Sequence, residues 1–521
     1  MNENHNPQKI VLVSRKIAFS FPLSFAYLAG YLKEKNEEVV VLFRDFRNQD
    51  LIIREILKNN PLIVGLGGLY PELNEIANLI TELKRIRPQI QVVIGGQMVS
   101  PTPEFALEIT GADYGVIGEG EIILHQLIIA LRNQTEVANI KGIVFRKNNK
   151  IINNGPGDYI KDINQLPSIP FELFPEKEWL EIGRWYTLNS PQPAFWRFHD
   201  RVVNIHGGRG CPHRCNFCYH HSLPRYRSID IMLKEAAIAI DRFDANMVYF
   251  SDDLVLATPN RAKELVDGIR KMKRSFNYSL SARFDVLNKI DDGLLQELKN
   301  TGCKIMGLGI ESGSDKVLKE IGKKCTTDQI FHNIARLTKV GISPTVSIQV
   351  GQYNETREDA EKSVEMVRRT VQINPNIQYA FTITTPFPGS KLYDQLQEKG
   401  VIKSDRDFYN KYFFPHNHLK IGDWNQVSNL SQMTEKEILY YHQKLHKTYL
   451  EQKRQAFGPK LWIFEGIYLF FIKLNKFFEY IVFKKISPTH PLKSSYDKLR
   501  DKLFIELEMI NLKIRKLKGY L

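Results

Sequence analysis

The sequence predicts two successive α/β units followed by a helical extension. Short apolar runs alternate with amphipathic stretches over residues 9–132, and the alternation returns from 202 to about 399. Beyond it the pattern turns helical and basic. Runs such as Ile10-Val11-Leu12-Val13 are apolar on both faces, which suits strands of a covered parallel sheet. At 521 residues, two or three domains are expected.

In the first unit, strands are expected at 9–14, 38–43, 62–66, 91–95 and 113–117. Helices are expected at 22–33, 50–58, 71–86, 103–109 and 121–132. Three strands run into glycine: Gly65, Gly67 and Gly68; Gly95 and Gly96; Gly118 and Gly120. Ligands of open α/β sheets bind beyond the strands' carboxyl ends, where glycine lets backbone approach closely. No Gly-x-Gly-x-x-Gly follows the first strand, so a dinucleotide site is not expected. Residues 133–200 read as a connector. They hold a hairpin (141–146 and 150–153) around Lys147-Asn148-Asn149, then a proline-rich stretch, 166–175. Trp179, Trp185, Tyr186, Phe195, Trp196 and Phe198 make its end aromatic, for packing between domains or for lining an apolar substrate.

Three of the five cysteines, Cys211, Cys215 and Cys218, fall on one short stretch. An odd count and no signal peptide argue for a reducing cytosol and against disulfides. A structural zinc could recruit His206, His213, His220 or His221, but zinc sites favour two close pairs of ligands over this triplet. Three soft thiolates can instead hold three corners of a cubane iron–sulfur cluster, leaving the fourth iron open for chemistry. Cys303 and Cys325 read as packing residues.

With Phe217 as its aromatic, the stretch has the spacing Cys-x3-Cys-x-aromatic-Cys and resembles the radical SAM superfamily. The resemblance implies a 4Fe–4S cluster on Cys211, Cys215 and Cys218, with S-adenosylmethionine chelating the open iron. Reductive cleavage to methionine and a 5′-deoxyadenosyl radical would follow. It also implies a partial (β/α)6 barrel, with strands near 202–206, 246–251, 279–283, 304–310, 343–350 and 380–384. Family-like strings stand at the strand ends. Asp252 or Asp253 in Ser251-Asp252-Asp253 would take the methionine amino group, and Arg283 the carboxylate. Glu311 and Ser312 in Gly309-Ile310-Glu311-Ser312-Gly313 would contact the amino acid or ribose. Asn354-Glu355-Thr356 resembles the adenine-side turn, with Tyr353 where relatives have proline. Pro386-Phe387-Pro388-Gly389-Ser390 matches after the sixth strand.

The first unit resembles the flavodoxin-like cobalamin-binding domain that precedes the barrel in one large subfamily. Residues 93–104 and 112–121 carry the likeness. Gly67, Gly68, Gly95, Gly96, Gly118 and Gly120 would line the corrinoid. The Asp-x-His-x-x-Gly motif is missing and the early histidines are only His5 and His125, so cobalt would have no histidine below it. Expected domains are thus 1–135 (cobalamin-binding-like), 136–200 (connector), 201–400 (barrel) and 401–521 (mostly helical extension).

Net charge is +14, and residues 434–521 hold 18 Lys plus Arg against 9 Asp plus Glu. Aromatic residues in 405–432, among them Tyr409, Tyr412, Phe413, Phe414 and Trp424, are expected to close over the site, with His416 and His418 at the surface. The run 457–483, flanked by lysines, suits a helix in a membrane interface or one packed on protein, and 498–518 reads as a last amphipathic helix. The expected location is cytoplasmic, with peripheral contact at the inner membrane face. The expected activity is cobalamin-dependent radical methylation of an unactivated carbon in a small or apolar metabolite, served by an electron donor such as flavodoxin or ferredoxin. Oxidation and ring closure like that of the anaerobic magnesium-protoporphyrin ester cyclase is the alternative, and a non-catalytic cobalamin- or metal-binding sensor the rival from another class. RNA methylthio transfer is disfavoured, because it needs three further N-terminal cysteines and a β-barrel tail; nucleic acid is not an expected partner.

Overall fold

The computed structural model describes residues 8–15, 22–44, 49–174, 201–219, 222–272, 274–412 and 429–458. The first unit is a seven-stranded sheet: β1 (Lys9–Arg15), β2 (Val39–Arg44), β3 (Pro61–Gly67), β4 (Gln91–Gly95), β5 (Tyr114–Val116), β6 (Ile143–Lys147) and β7 (Lys150–Asn153). Their order is β2-β1-β3-β4-β5-β6-β7, with β1 to β5 parallel and the expected hairpin added antiparallel at the edge. Two-residue alternation explains the apolar runs. Ile10 and Leu12 pack with α1 (Leu23–Glu34) and α5 (Gly120–Asn133), whereas Val11 and Val13 face α2 (Gln49–Lys58), α3 (Leu73–Ile86) and α4 (Pro103–Thr110).

The second sheet has six parallel strands in sequential order: β8 (Val202–Ile205), β11 (Met247–Phe250), β12 (Asn277–Ala282), β13 (Cys303–Glu311), β14 (Ser343–Val350) and β15 (Gln378–Ile383). It is the open six-stranded barrel that the sequence predicts. Helix Glu435–Phe457 covers its β15 edge: Tyr449 packs against Tyr379 and Phe381, and its hydroxyl donates to the Ile377 carbonyl at 3.4 Å.

The two units share one hydrophobic cluster, running from Ile10 and Phe25 through Phe171 to Phe243 and Leu280. The proline-rich connector lies on α1 at Gly30, where a Cβ would meet the Ser168 carbonyl at 3.0 Å. Tyr409 departs from expectation. It is buried against Phe105 and Tyr70 of the first unit, so it is a packing residue and not part of a closing flap. The connector aromatics, His416, His418, Trp424 and the tail segments beyond residue 458 lie outside the described residues. Among those described, no helix is long and apolar enough to cross a membrane.

Candidate active site at the barrel mouth

The cysteine loop is an excursion closed at its base by a small antiparallel pair, β9 (Gly208–Arg209) and β10 (Arg225–Tyr226). Backbone contacts pin its middle. The Asn216 N–H donates to the Ile321 carbonyl at 3.2 Å, and the Asn216 carbonyl accepts from the Leu392 N–H at 3.1 Å. Gly389 (φ +85°), in the Pro-Phe-Pro-Gly-Ser string, leaves room for Tyr219, whose ring a Cβ there would meet at 2.5 Å.

Cys211, Cys215 and Cys218 line a cavity of about 400 Å3 together with Phe217, Asp253, Arg283, Glu311 and Lys323. Its wall is built from small residues along β12, β13 and β14: Ser281, Gly307, Gly309, Thr345 and Ser347. Burial raises the thiols of Cys211 and Cys218, the latter to about 12, so as thiolates they call for a nearby metal or cation. Arg283 Nη1 lies 3.5 Å from Cys215 Sγ, and Asp285 accepts from Arg283 Nε at 2.8 Å. Arg283 Nη2 is buried with no hydrogen-bond partner. Among the described residues, no three His, Cys, Asp or Glu side chains are close enough to share one metal ion. In a cubane each thiolate meets its own iron, so three thiols on one loop need not converge on a single ion.

Glu311 ends β13 in the left-handed region (φ +69°), after a register shift at Gly309. Such a conformation costs a non-glycine residue roughly 1–3 kcal/mol. Its carboxylate accepts from Gln349 Nε2 at 2.9 Å, Ser347 Oγ at 3.1 Å and Lys323 Nζ at 3.2 Å. Lys323, Ser347 and Gln349 were not singled out from the sequence. The period-two pattern of β14 could have indicated Ser347 and Gln349; Lys323 reaches the cavity from the loop after helix Asp315–Glu320, and no local signal marks it.

Two expected ligands do not reach the cavity. Asp252 is buried behind it, its Oδ1 accepting from the Gly207 N–H at 2.6 Å, so of the acidic pair only Asp253 lines the wall. Ser312 is fully buried, with its hydroxyl 3.4 Å from Ser363 Oγ and accepting from the Ser314 N–H at 3.2 Å. The Glu-Thr turn serves the scaffold: Glu355 is buried and binds the backbone at Gly351 and Gln352, while Thr356 caps helix Arg357–Ile373.

The six glycines at the first sheet's edge divide. Phe25 fills the space beside Gly67, the Glu72 carboxylate that beside Gly68, and Leu28 that beside Gly120, so protein packing accounts for these three. Gly118 (φ +96°) has nothing within 4 Å of a would-be Cβ, Gly96 (φ +84°) only the Gly68 carbonyl, and Gly95 only Val116. These three leave an open edge. It adjoins the cysteine loop, because the Ser100 hydroxyl accepts from the Gly118 N–H at 3.0 Å and bonds Tyr219, which lines the cavity. Glu119, in the same loop, is gripped by Arg225 at 2.6 Å and Arg209 at 3.1 Å. His125 lies elsewhere, 3.8 Å from Glu37 and edge-on to Tyr31.

Comparison with known proteins agrees with this architecture. The model of the radical SAM superfamily matches residues 205–367, and that of the B12 binding domain residues 12–128. The chain is 28% identical over 382 residues to an uncharacterized methyltransferase of Pyrococcus horikoshii, covering 72% of this chain and 78% of that one. It is 24% identical over 404 residues to the anaerobic magnesium-protoporphyrin IX monomethyl ester cyclase of Synechocystis, covering 74% of each. In fold it is similar to the radical S-adenosylmethionine methyltransferase TsrM of Kitasatospora setae, solved with cobalamin and a 4Fe–4S cluster; the TM-score is 0.60 at 18% identity, over 76% of each chain. The chain is thus an enzyme that carries a radical SAM domain over residues 205–367, with a B12 binding domain over residues 12–128 ahead of it.

Proposed function

We propose that this protein is a cobalamin-dependent radical SAM methyltransferase acting on an unactivated carbon of a small or apolar metabolite. The observation that carries the reading is the convergence of three thiols, two cations and two carboxylates on one cavity beside the open glycine edge. The donor set suits the group: soft thiolates for iron, and a buried arginine N–H still lacking an acceptor. When bound, the cofactors supply a carbon-centred radical and a methyl group.

The protein's own residues bind and orient. Cys211, Cys215 and Cys218 hold the cluster irons, with Phe217 packed beside them. Arg283 Nη2 offers a donor to the carboxylate of S-adenosylmethionine, and Asp253 an acceptor to its amino group. Glu311, fixed by Gln349, Ser347 and Lys323, holds the ribose or amino-acid part. Gly95, Gly96 and Gly118 leave the space in which a corrinoid would approach the backbone closely.

Methyl transfer is favoured over oxidation by the 28% identity to a protein named a methyltransferase. Ring closure is the second reading, supported by the likeness to the cyclase. A reduced flavodoxin or ferredoxin in the cytoplasm would deliver the electron. The outlying basic tail would add peripheral membrane contact.

Anaerobic reconstitution with iron, sulfide and cobalamin tests the reading. Optical spectra should show both a cluster and a bound corrinoid. Addition of reductant and S-adenosylmethionine should yield 5′-deoxyadenosine, with S-adenosylhomocysteine as the methyl-donor product. Cys215→Ala should lose cluster iron and all 5′-deoxyadenosine. A chain that takes up no corrinoid has no methyl carrier, and the methyltransferase reading then fails.

A further inference from the structure

Arg283 stands closer to a cysteine sulfur than a carboxylate anchor requires. Its Nη1 is 3.5 Å from Cys215 Sγ, within hydrogen-bond range for sulfur. Its Nε is held by Asp285 at 2.8 Å, which fixes the plane of the guanidinium. Its backbone starts the short helix Phe284–Leu287 at the end of β12, so the side chain leaves a rigid strand end. The side chain is about nine-tenths buried, and little water screens its charge from the sulfur.

We propose that Arg283 is a positioning residue that sets the reduction potential of the cluster by donating a charged hydrogen bond to the Cys215 sulfur. The inference rests on Cys215 being a cluster ligand, as proposed above. A cluster gains negative charge on reduction, so a buried cation donating to its sulfur stabilises the reduced form more than the oxidised one. The sign follows: Arg283 raises the potential and brings the cluster within reach of a one-electron donor. The only cation besides Arg283 among the cavity-lining residues, Lys323, is committed to Glu311 and the Gly309 carbonyl.

Redox titration of the reconstituted full-length protein, followed by the electron-paramagnetic signal of the reduced cluster without S-adenosylmethionine, tests this. Arg283→Gln, which keeps an N–H donor but not the charge, should shift the midpoint to a more negative value at unchanged iron and sulfide content. Arg283→Lys, which keeps charge without the fork, should shift it less. Equal midpoints in the wild type and either variant overturn the proposal. If neither variant holds a cluster, the wild type decides. Protein labelled with 15N in its arginine guanidinium groups should show nitrogen hyperfine coupling to the reduced cluster, and absence of coupling overturns the proposal. A wild type that forms no 4Fe–4S signal at all defeats the cluster reading itself, so the two failures are distinguishable.

Discussion

Glu355 illustrates at residue scale how a motif side chain can serve the frame around a site. Its Oε2 accepts from the Gly351 N–H at 2.6 Å and the Gln352 N–H at 3.1 Å, closing the turn after β14. Burial outweighs these bonds and pushes its carboxyl up to about 7. The folded state therefore keeps a proton that the unfolded chain releases near the ordinary value of 4.5. Stability from this group is full below about 4.5, falls as pH rises, and is gone above about 7, a loss on the order of 3 kcal/mol. Glu355→Gln should remove that slope, so denaturant titrations at pH 5 and pH 8 should differ less in the variant than in the wild type.

At element scale, the loop after β5 is docked on the barrel by charge. Burial alone would raise the Glu119 carboxyl, but the Arg225 and Arg209 guanidinium groups more than offset it and hold it down at about 2. Its contribution is present above the usual carboxylate range and is lost as pH falls through that range toward 2. Arg225→Ala leaves Glu119 partly uncompensated and should cost roughly 3 kcal/mol. Gly118 lies one residue away, so the same variant should retain less cobalamin after gel filtration while keeping its cluster iron. Equal corrinoid content in variant and wild type would separate this clamp from the cofactor.

At the scale of the whole molecule, a buried triad joins both units. Tyr27 of α1 and Arg227 beside β10 both donate to Glu235 Oε2 at 2.8 Å, and Glu235 Oε1 accepts from the connector's Ile169 N–H at 3.0 Å. One carboxylate thus ties the first unit, the connector and the barrel helix Ile229–Phe243. Glu235→Ala strands Arg227 in the core and should cost roughly 3–5 kcal/mol. Calorimetry should then show two unfolding transitions in the variant where the wild type, coupled through this triad, should show one. A single transition at unchanged temperature would show that the shared apolar core alone couples the units.

What the sequence determined by itself is local. Period-two and helical patterns placed both sheets to within a few residues, as at β4 and β14, because strand burial is written into neighbouring residues. The cysteine triplet was equally legible, since its ligands sit within one loop. Tertiary structure decided the assignments that depend on direction and distance. It separated Asp253 from Asp252, withdrew Ser312 from the cavity, and showed that packing occupies Gly67, Gly68 and Gly120 while Gly95, Gly96 and Gly118 stay open. It also brought in Lys323 and turned Arg283 toward the Cys215 sulfur. Those outcomes rest on contacts between segments far apart in the chain, which no local pattern encodes.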